Sequence, residues 1–224
     1  MHQLYDLDMA RERKKYYIMM GDVIGSSDYQ PEKLGKSLKE LVQSANEDLR
    51  EKTLSPYTVT LGDEFQGVTK SLNSGIETLF YFEEERLAKK LEFQLHYVLH
   101  FGKIETEINQ EISYGMLGEG LTEAREKLTA KKRDRKRFNI SLDDKELSQQ
   151  LNRLFEVFDS ITQRWKKEDF SLILDMIQIE SDQEVGEKHG KDRSQIYRRR
   201  KTLMIHEYNL LKESIKTTIQ MSSP

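Results

Sequence analysis

The 224-residue sequence contains no cysteine, which excludes a disulfide framework and any thiolate-bound zinc or iron–sulfur centre. Any metal here must therefore be a hard ion on oxygen ligands. There are only three prolines, and no Gly/Ser linker, internal repeat or low-complexity tract marks a domain boundary. No apolar run approaches the roughly 20 residues needed to cross a bilayer, and Met1–Lys15 is charged with no apolar signal segment behind it. A cytoplasmic protein with no membrane partner is expected. No Gly-Lys-Ser/Thr completes a Walker loop, and no dinucleotide fingerprint is present. The histidines are scattered without zinc-type spacing or a Ser-His-Asp order, and His96 and His100 are expected on the polar face of a strand.

An excess of one charge sign is also missing, since 36 Lys+Arg stand against 39 Asp+Glu for a net −3. That balance hides segregation. Ala130–Leu142, with Lys131 to Arg137, carries a local +5, and Gly186–Met204 carries another +5, leaving −13 on the remainder. Two basic patches on an acidic body point to localised polyanion sites, with a solvated charged face as the plainer alternative.

Tyr16–Met20 is an apolar run closed by Gly21-Asp22, which predicts a buried strand with Asp22 just past its end. Pro31 opens an amphipathic helix over Glu32–Glu51, with Leu34, Leu38, Leu41, Ala45 and Leu49 on one stripe. Tyr57–Leu61 and Phe65–Val68 flank Gly62-Asp63-Glu64 as a hairpin. A helix over Leu72–Lys90, a strand over Phe93–Gly102, a helix over Leu121–Lys132 and a short strand over Phe138–Leu142 follow. The order predicts an α+β fold: a ferredoxin-like or palm βαββαβαβ domain. Beyond Asp143 the pattern is all helical, with helices expected at Phe170–Ile179, Asp182–His189 and Arg193–Ile219. The expected organisation is an N-terminal extension (1–15), a palm domain (16–142), a connecting helix (143–165) and a helix-turn-helix domain (166–224).

Asp22 at a strand end and Asp63 at a hairpin tip would project together at one sheet edge. Mg²⁺ or Mn²⁺ is held by one or two carboxylates plus substrate phosphates, so this pair is a candidate metal site with Glu64 as a further ligand. Gly21, Gly25, Ser26 and Gly62 would let a nucleotide's phosphates approach the backbone. The competing reading is that both aspartates merely stabilise turns.

Gly21-Asp22-Val23-Ile24-Gly25-Ser26 followed by Leu61-Gly62-Asp63-Glu64-Phe65 resembles the metal-binding strand and hairpin of class III nucleotide cyclase and GGDEF palm domains. Over a longer span, Thr58–Gly67, Phe101–Glu111 and Gly118–Arg125 resemble the bacterial SatD family, most specifically in the Leu61–Gly67 string. The cyclase resemblance implies that both aspartates hold metal and that the domain pairs as a homodimer. Where cyclases carry an Asn and an Arg on the following helix and a Lys before the hairpin, this chain has Thr122, Glu126 and Val59. Arg125, one residue away, is the candidate catalytic residue; an ordinary salt bridge is its other reading.

Asp182–Arg200 fits a helix-turn-helix. Gly186 is the small residue where two helices touch, Gly190 the turn glycine and Ile196 the buried aliphatic of the second helix. Arg193, Ser194, Gln195, Arg198, Arg199, Arg200 and Lys201 are the candidate DNA contacts. The leading expectation is a transcription regulator in which DNA binding is joined to a metal- or nucleotide-binding, catalytically degenerate palm domain. The alternative is a Mg²⁺-dependent nucleotide cyclase or nucleotidyl transferase.

Overall fold

The structure, a computed structural model, describes residues 14–134 and 136–222, the side chains of 131–134 excepted. Most of the expected N-terminal extension, and the side chains of 131–134 with residue 135 of the first basic run, lie outside what is described. The chain divides into two compact units, residues 1–82 with 93–152, and residues 83–92 with 153–224.

The first unit is built on a five-stranded sheet in the order β2-β3-β1-β4-β5. The strands are β1 (Lys15–Val23), β2 (Thr53–Val59), β3 (Glu64–Thr69), β4 (Leu95–Lys103) and β5 (Phe138–Ser141). Between them lie α1 (Pro31–Asp48), α2 (Leu72–Ala88) and α3 (Glu119–Asp134), and α4 (Lys145–Thr162) follows. This is the expected α+β βαββαβαβ order. β3 runs antiparallel between β1 and β2, β4 pairs antiparallel with the other side of β1, and β5 joins β4 in parallel.

Side-chain alternation then decides which residues share a face. Ile18 and Met20 of β1, with Val68 and Val98, pack against Ala124 and Leu128 of α3 and against Ile104 and Met116 from the segment joining β4 to α3. The other face carries Phe65, Tyr97 and Leu99. There Gly75 of α2 sits directly on Leu99, where any Cβ would meet Leu99 Cδ1 at 2.7 Å. Gly21 likewise makes room for the Phe65 ring, which an added Cβ would meet at 2.6 Å.

Both sheet edges are closed by an asparagine. Tyr57 of β2 donates its N–H to Asn46 Oδ1 and accepts from Asn46 Nδ2, both at 2.7 Å. Ile140 of β5 has the same pair of bonds with Asn152, at 2.9 and 2.7 Å. Each amide side chain stands in for a missing strand and blocks edge pairing at that residue.

The second unit contains α5 (Phe170–Gln178), α6 (Asp182–His189), α7 (Arg193–Thr202) and α8 (Ile205–Ser222). Its core gathers Trp165, Phe158 and Tyr208, with the Tyr208 ring centroid 5.0 Å from that of Trp165 and 5.1 Å from that of Phe158. The single long helix expected over Arg193–Ile219 is two. Met204 takes a left-handed φ of 56° between them, and the Trp165 indole donates to the Leu203 carbonyl at 2.9 Å, satisfying an acceptor at the break.

Candidate functional site

Asp22 lies inside β1, one residue before its end, and is fully buried rather than just past the strand. Because β1 has a neighbour on each side, both ladders continue past Gly21, and Asp22 stands opposite Glu64 on β3 and His96 on β4. Cross-strand partners share a face, so these three residues form one row. His96, 7% exposed, places Nδ1 3.1 Å from Asp22 Oδ1. The polar face expected for β4 is therefore covered. His96 and His100 are both buried, because α3 and the β4–α3 segment close that side of the sheet.

Asp63 sits at the tip between β2 and β3, half-buried, and its carbonyl accepts the Val23 N–H at 2.9 Å. This backbone bond brings the chain at Asp63 beside the end of β1. Gly62 has a left-handed φ of 86°, and Gly25, at φ 64°, opens the short 3₁₀ turn Ser26–Asp28. At Gly21 the missing Cβ accommodates the Phe65 ring.

Glu64 is held by Arg125 of α3, with Nη1 3.1 Å from Oε2, while Arg125 Nη2 reaches Gln66 Oε1 at 3.5 Å. Arg125 thus forms an ion pair, and one oxygen of Glu64 is engaged by its guanidinium. Among the described residues, no group of three or more His, Asp or Glu side chains could hold a metal ion. Asp22 and Asp63 alone would leave most of a divalent cation's coordination positions to other ligands.

In the second unit, α6 and α7 meet through Gly186, where a Cβ would lie 2.5 Å from the Lys191 carbonyl oxygen. Gly190 has φ 62° and Ile196 is fully buried. Gly186, Gly190 and Ile196 thus take the contact, turn and buried positions of this helix pair. Ser181 caps α6 by accepting from the Glu184 N–H, and Asp192 and Gln195 form a reciprocal capping box on α7.

The basic residues of α7 divide by face. Arg193, Ser194, Arg198 and Lys201 are exposed, and so is Tyr197, which the sequence reading missed, with Lys201 Nζ 4.7 Å from its ring centroid. Gln195 is exposed but spends its side-chain oxygen on the Asp192 N–H. Arg199 is ion-paired with Asp169. Arg200 turns inward, bonding Asp182 Oδ1 at 2.8 Å and the carbonyls of Met176, Ile179 and Glu180 at 2.5, 2.9 and 3.4 Å. Behind α6, Asp175 accepts from Lys188 at 3.1 Å and lies 2.7 Å from His189 Nε2. Partial burial alone would raise the Asp175 pKa, but these two partners hold it below its ordinary 3.8. Histidine–carboxylate pairs absent from local spacing are thus present in space.

Of the first basic run, Arg137 is 2% exposed, donates to the Leu95 carbonyl at 3.2 Å and lies over the Phe138 ring. It is part of the sheet edge rather than a solvated cation.

A split β-α-β sheet extended by a parallel fifth strand, followed by an all-helical unit, defines a palm-like α+β protein. A model of the SatD family matches residues 16–218, and the chain belongs to that family. No curated protein matches it. Among solved structures, a bacterial light-regulated adenylyl cyclase aligns with a TM-score of 0.43 and 15% identity, covering 56% of this chain and 42% of that one. The chain thus spans less than half the length of that enzyme. No helix among the described residues is long and apolar enough to cross a membrane.

Proposed function

We propose that this SatD-family chain is a DNA-binding regulatory protein. The observation that carries the reading is the outward face of α7. Arg193, Tyr197 and Lys201 recur every four residues, flanked by Ser194 and Arg198, on the second helix of a two-helix turn whose glycines and buried isoleucine meet the packing requirements of that motif. Such a stripe suits phosphate contacts from the cations and base-edge contacts from Ser194 and Arg198. Tyr197 adds an aromatic face at the same surface.

In the first unit, Asp22 and Asp63 would hold a divalent cation accompanying a nucleotide, with Gly25 and Ser26 beside the phosphates. Bound there, the cation would offset phosphate charge. This domain would serve as the ligand-sensing partner of the DNA-binding unit, because Arg125 is tied to Glu64 and no other arginine replaces it at the cyclase position. A cyclase or nucleotidyl transferase is the second reading, favoured by the two aspartates at adjacent strand ends.

Fluorescence anisotropy with a labelled duplex library tests the DNA reading. Arg198→Glu combined with Lys201→Glu is expected to abolish binding while leaving the fold intact. Equal binding by both proteins would refute it. Incubation with each nucleoside triphosphate and Mg²⁺ or Mn²⁺ separates regulator from enzyme: pyrophosphate release lost in Asp22→Asn with Asp63→Asn would establish the second reading.

A further inference from the structure

β4, α3 and β5 form a β-α-β unit with parallel strands, and a crevice of about 370 Å³ opens at the carboxyl ends of those two strands. It lies at the opposite end of β1 from Asp22, since its β1 residue is Lys15, which pairs with Lys103 at the end of β4. Seven residue steps along the strand separate Lys15 from Asp22, about 23 Å. Ligands of parallel sheets favour this position, where strand ends and following helix N-termini converge. Here two helices of 16 and 18 residues, α3 and α4, begin at the crevice with Glu119–Gly120 and Lys145.

Glycine brings the backbones together: a Cβ on Gly102 would lie 2.6 Å from both Gly120 Cα and His100 Nε2. The imidazole of His100 fills that space. It is 5% exposed, and its Nδ1 donates to the Ser141 carbonyl at 3.2 Å. Its Nε2 is buried without a hydrogen bond of acceptable geometry, although Glu123 Oε2 lies 2.7 Å away. Burial, then Lys127, pull His100 below its ordinary pKa of 6.5, and Glu123 does not restore it.

The charges are layered. Lys15, His100 and Lys127 are 33%, 6% and 31% exposed, whereas the carboxylates facing them, Asp143 and Glu123, are 61% and 42% exposed. Lys103 and Lys145 add two cations with no ion pair among the described residues. Four lysines stand against Glu119, Glu123 and Asp143 in the lining, a net charge of +1, and Glu119 and Asp143 are exposed and Glu123 half-exposed, where an incoming anion can displace them.

We propose that this crevice binds a phosphate group, with Lys103 and Lys145 as its ligands, Glu123 as the carboxylate it displaces, and His100 donating from Nε2 once a proton is taken up there on binding. The chemistry is shared by free phosphate and a small phosphomonoester. Calorimetric titration with inorganic phosphate and with phenyl phosphate, alongside ¹H–¹⁵N spectra of the His100 imidazole, tests it. Saturable heat and a shift of the His100 signals are expected. Lys103→Glu with Lys145→Glu is expected to weaken binding by about tenfold or more, and Glu123→Gln to tighten it several-fold by removing the competitor. Misfolding cannot mimic a gain in affinity. Tighter binding of phenyl phosphate would identify a phosphomonoester; equal binding would identify phosphate itself. No saturable heat, or no tightening in Glu123→Gln, would overturn the proposal.

Discussion

Replacing Arg200 with alanine separates a structural arginine from a DNA-facing one. The side chain is 16% exposed and bridges α7 to the end of α5 and the start of α6, through the Asp182 carboxylate and three backbone carbonyls. Truncation leaves Asp182, also 16% exposed, without its partner. It also strands acceptors at the C-terminal end of α5, where helix carbonyls have no intrahelical donor. Removing one partner of a largely buried, charge-assisted network costs about 3–5 kcal/mol. These contacts are coupled, so the loss is shared rather than summed. Arg198, whose guanidinium rests on its own helix at Ser194, should cost about 0.5 kcal/mol or less on the same change. The assay is built in. Trp165 is the only tryptophan, lies in the same unit and is 8% exposed against Tyr208, so its fluorescence reports this unit's unfolding in urea. Arg200→Lys, which keeps the charge but not the four-way contact, should fall between wild type and alanine. Equal destabilisation by Arg200→Ala and Arg198→Ala, within about 1 kcal/mol, would refute this account of α7.

Asn152→Ala is expected to destabilise by about 1–3 kcal/mol, because it uncovers the Ile140 N–H and C=O, and to promote self-association that size-exclusion chromatography detects. If Arg193 and Lys201 each neutralise one phosphate, the logarithm of DNA affinity should fall with the logarithm of salt with a slope of about −2, read by anisotropy across a salt series. Asp175 has a folded pKa below its unfolded 3.8, so its stabilisation is present above that value and is lost as pH falls through the lower folded one; Asp175→Asn should remove this acid-side loss from Trp165-monitored unfolding. Gly186→Val should prevent α6 and α7 from meeting, seen as loss of the Trp165 transition together with DNA binding.

What the sequence showed depended on how local each determinant is. The five strands follow alternation or short apolar runs closed by glycine, and the α6–α7 turn follows three spaced residues, so both were legible. His96 and His100 were misread because strand alternation reveals only that a side chain faces one way, not what covers that face. The cover comes from α3 and from Ile104–Met116, and the partner of His96 is 74 residues earlier in the chain. Residues 83–92 group with the C-terminal unit although 83–88 continue α2 without a break. The end of α7 was invisible for a related reason: Leu203 and Met204 are adequate helix formers, and the break coincides with an indole donor contributed by Trp165, 38 residues upstream. Glu64 could have been paired with Arg125 only by knowing that α3 crosses the sheet at that point.

The basic stretch Gly186–Met204 gains its meaning from the side each cation faces rather than from its local +5. Lys188, Arg199 and Arg200 are matched by Asp175, Asp169 and Asp182, all of which lie outside that stretch, so a window count overstates the field they present. Lys191, Arg193, Arg198 and Lys201 are exposed and have no ion pair among the described residues. The inner carboxylates therefore do two things at once. They bind α7 to α5 and α6, and they cancel the inward charges, leaving the outward ones to define one positive stripe. A polyanion attracted to this unit should consequently meet a face already fixed in orientation, which lowers the ordering cost of binding. Substitutions on the outer set should change affinity at constant stability, and substitutions on the inner set should change stability first.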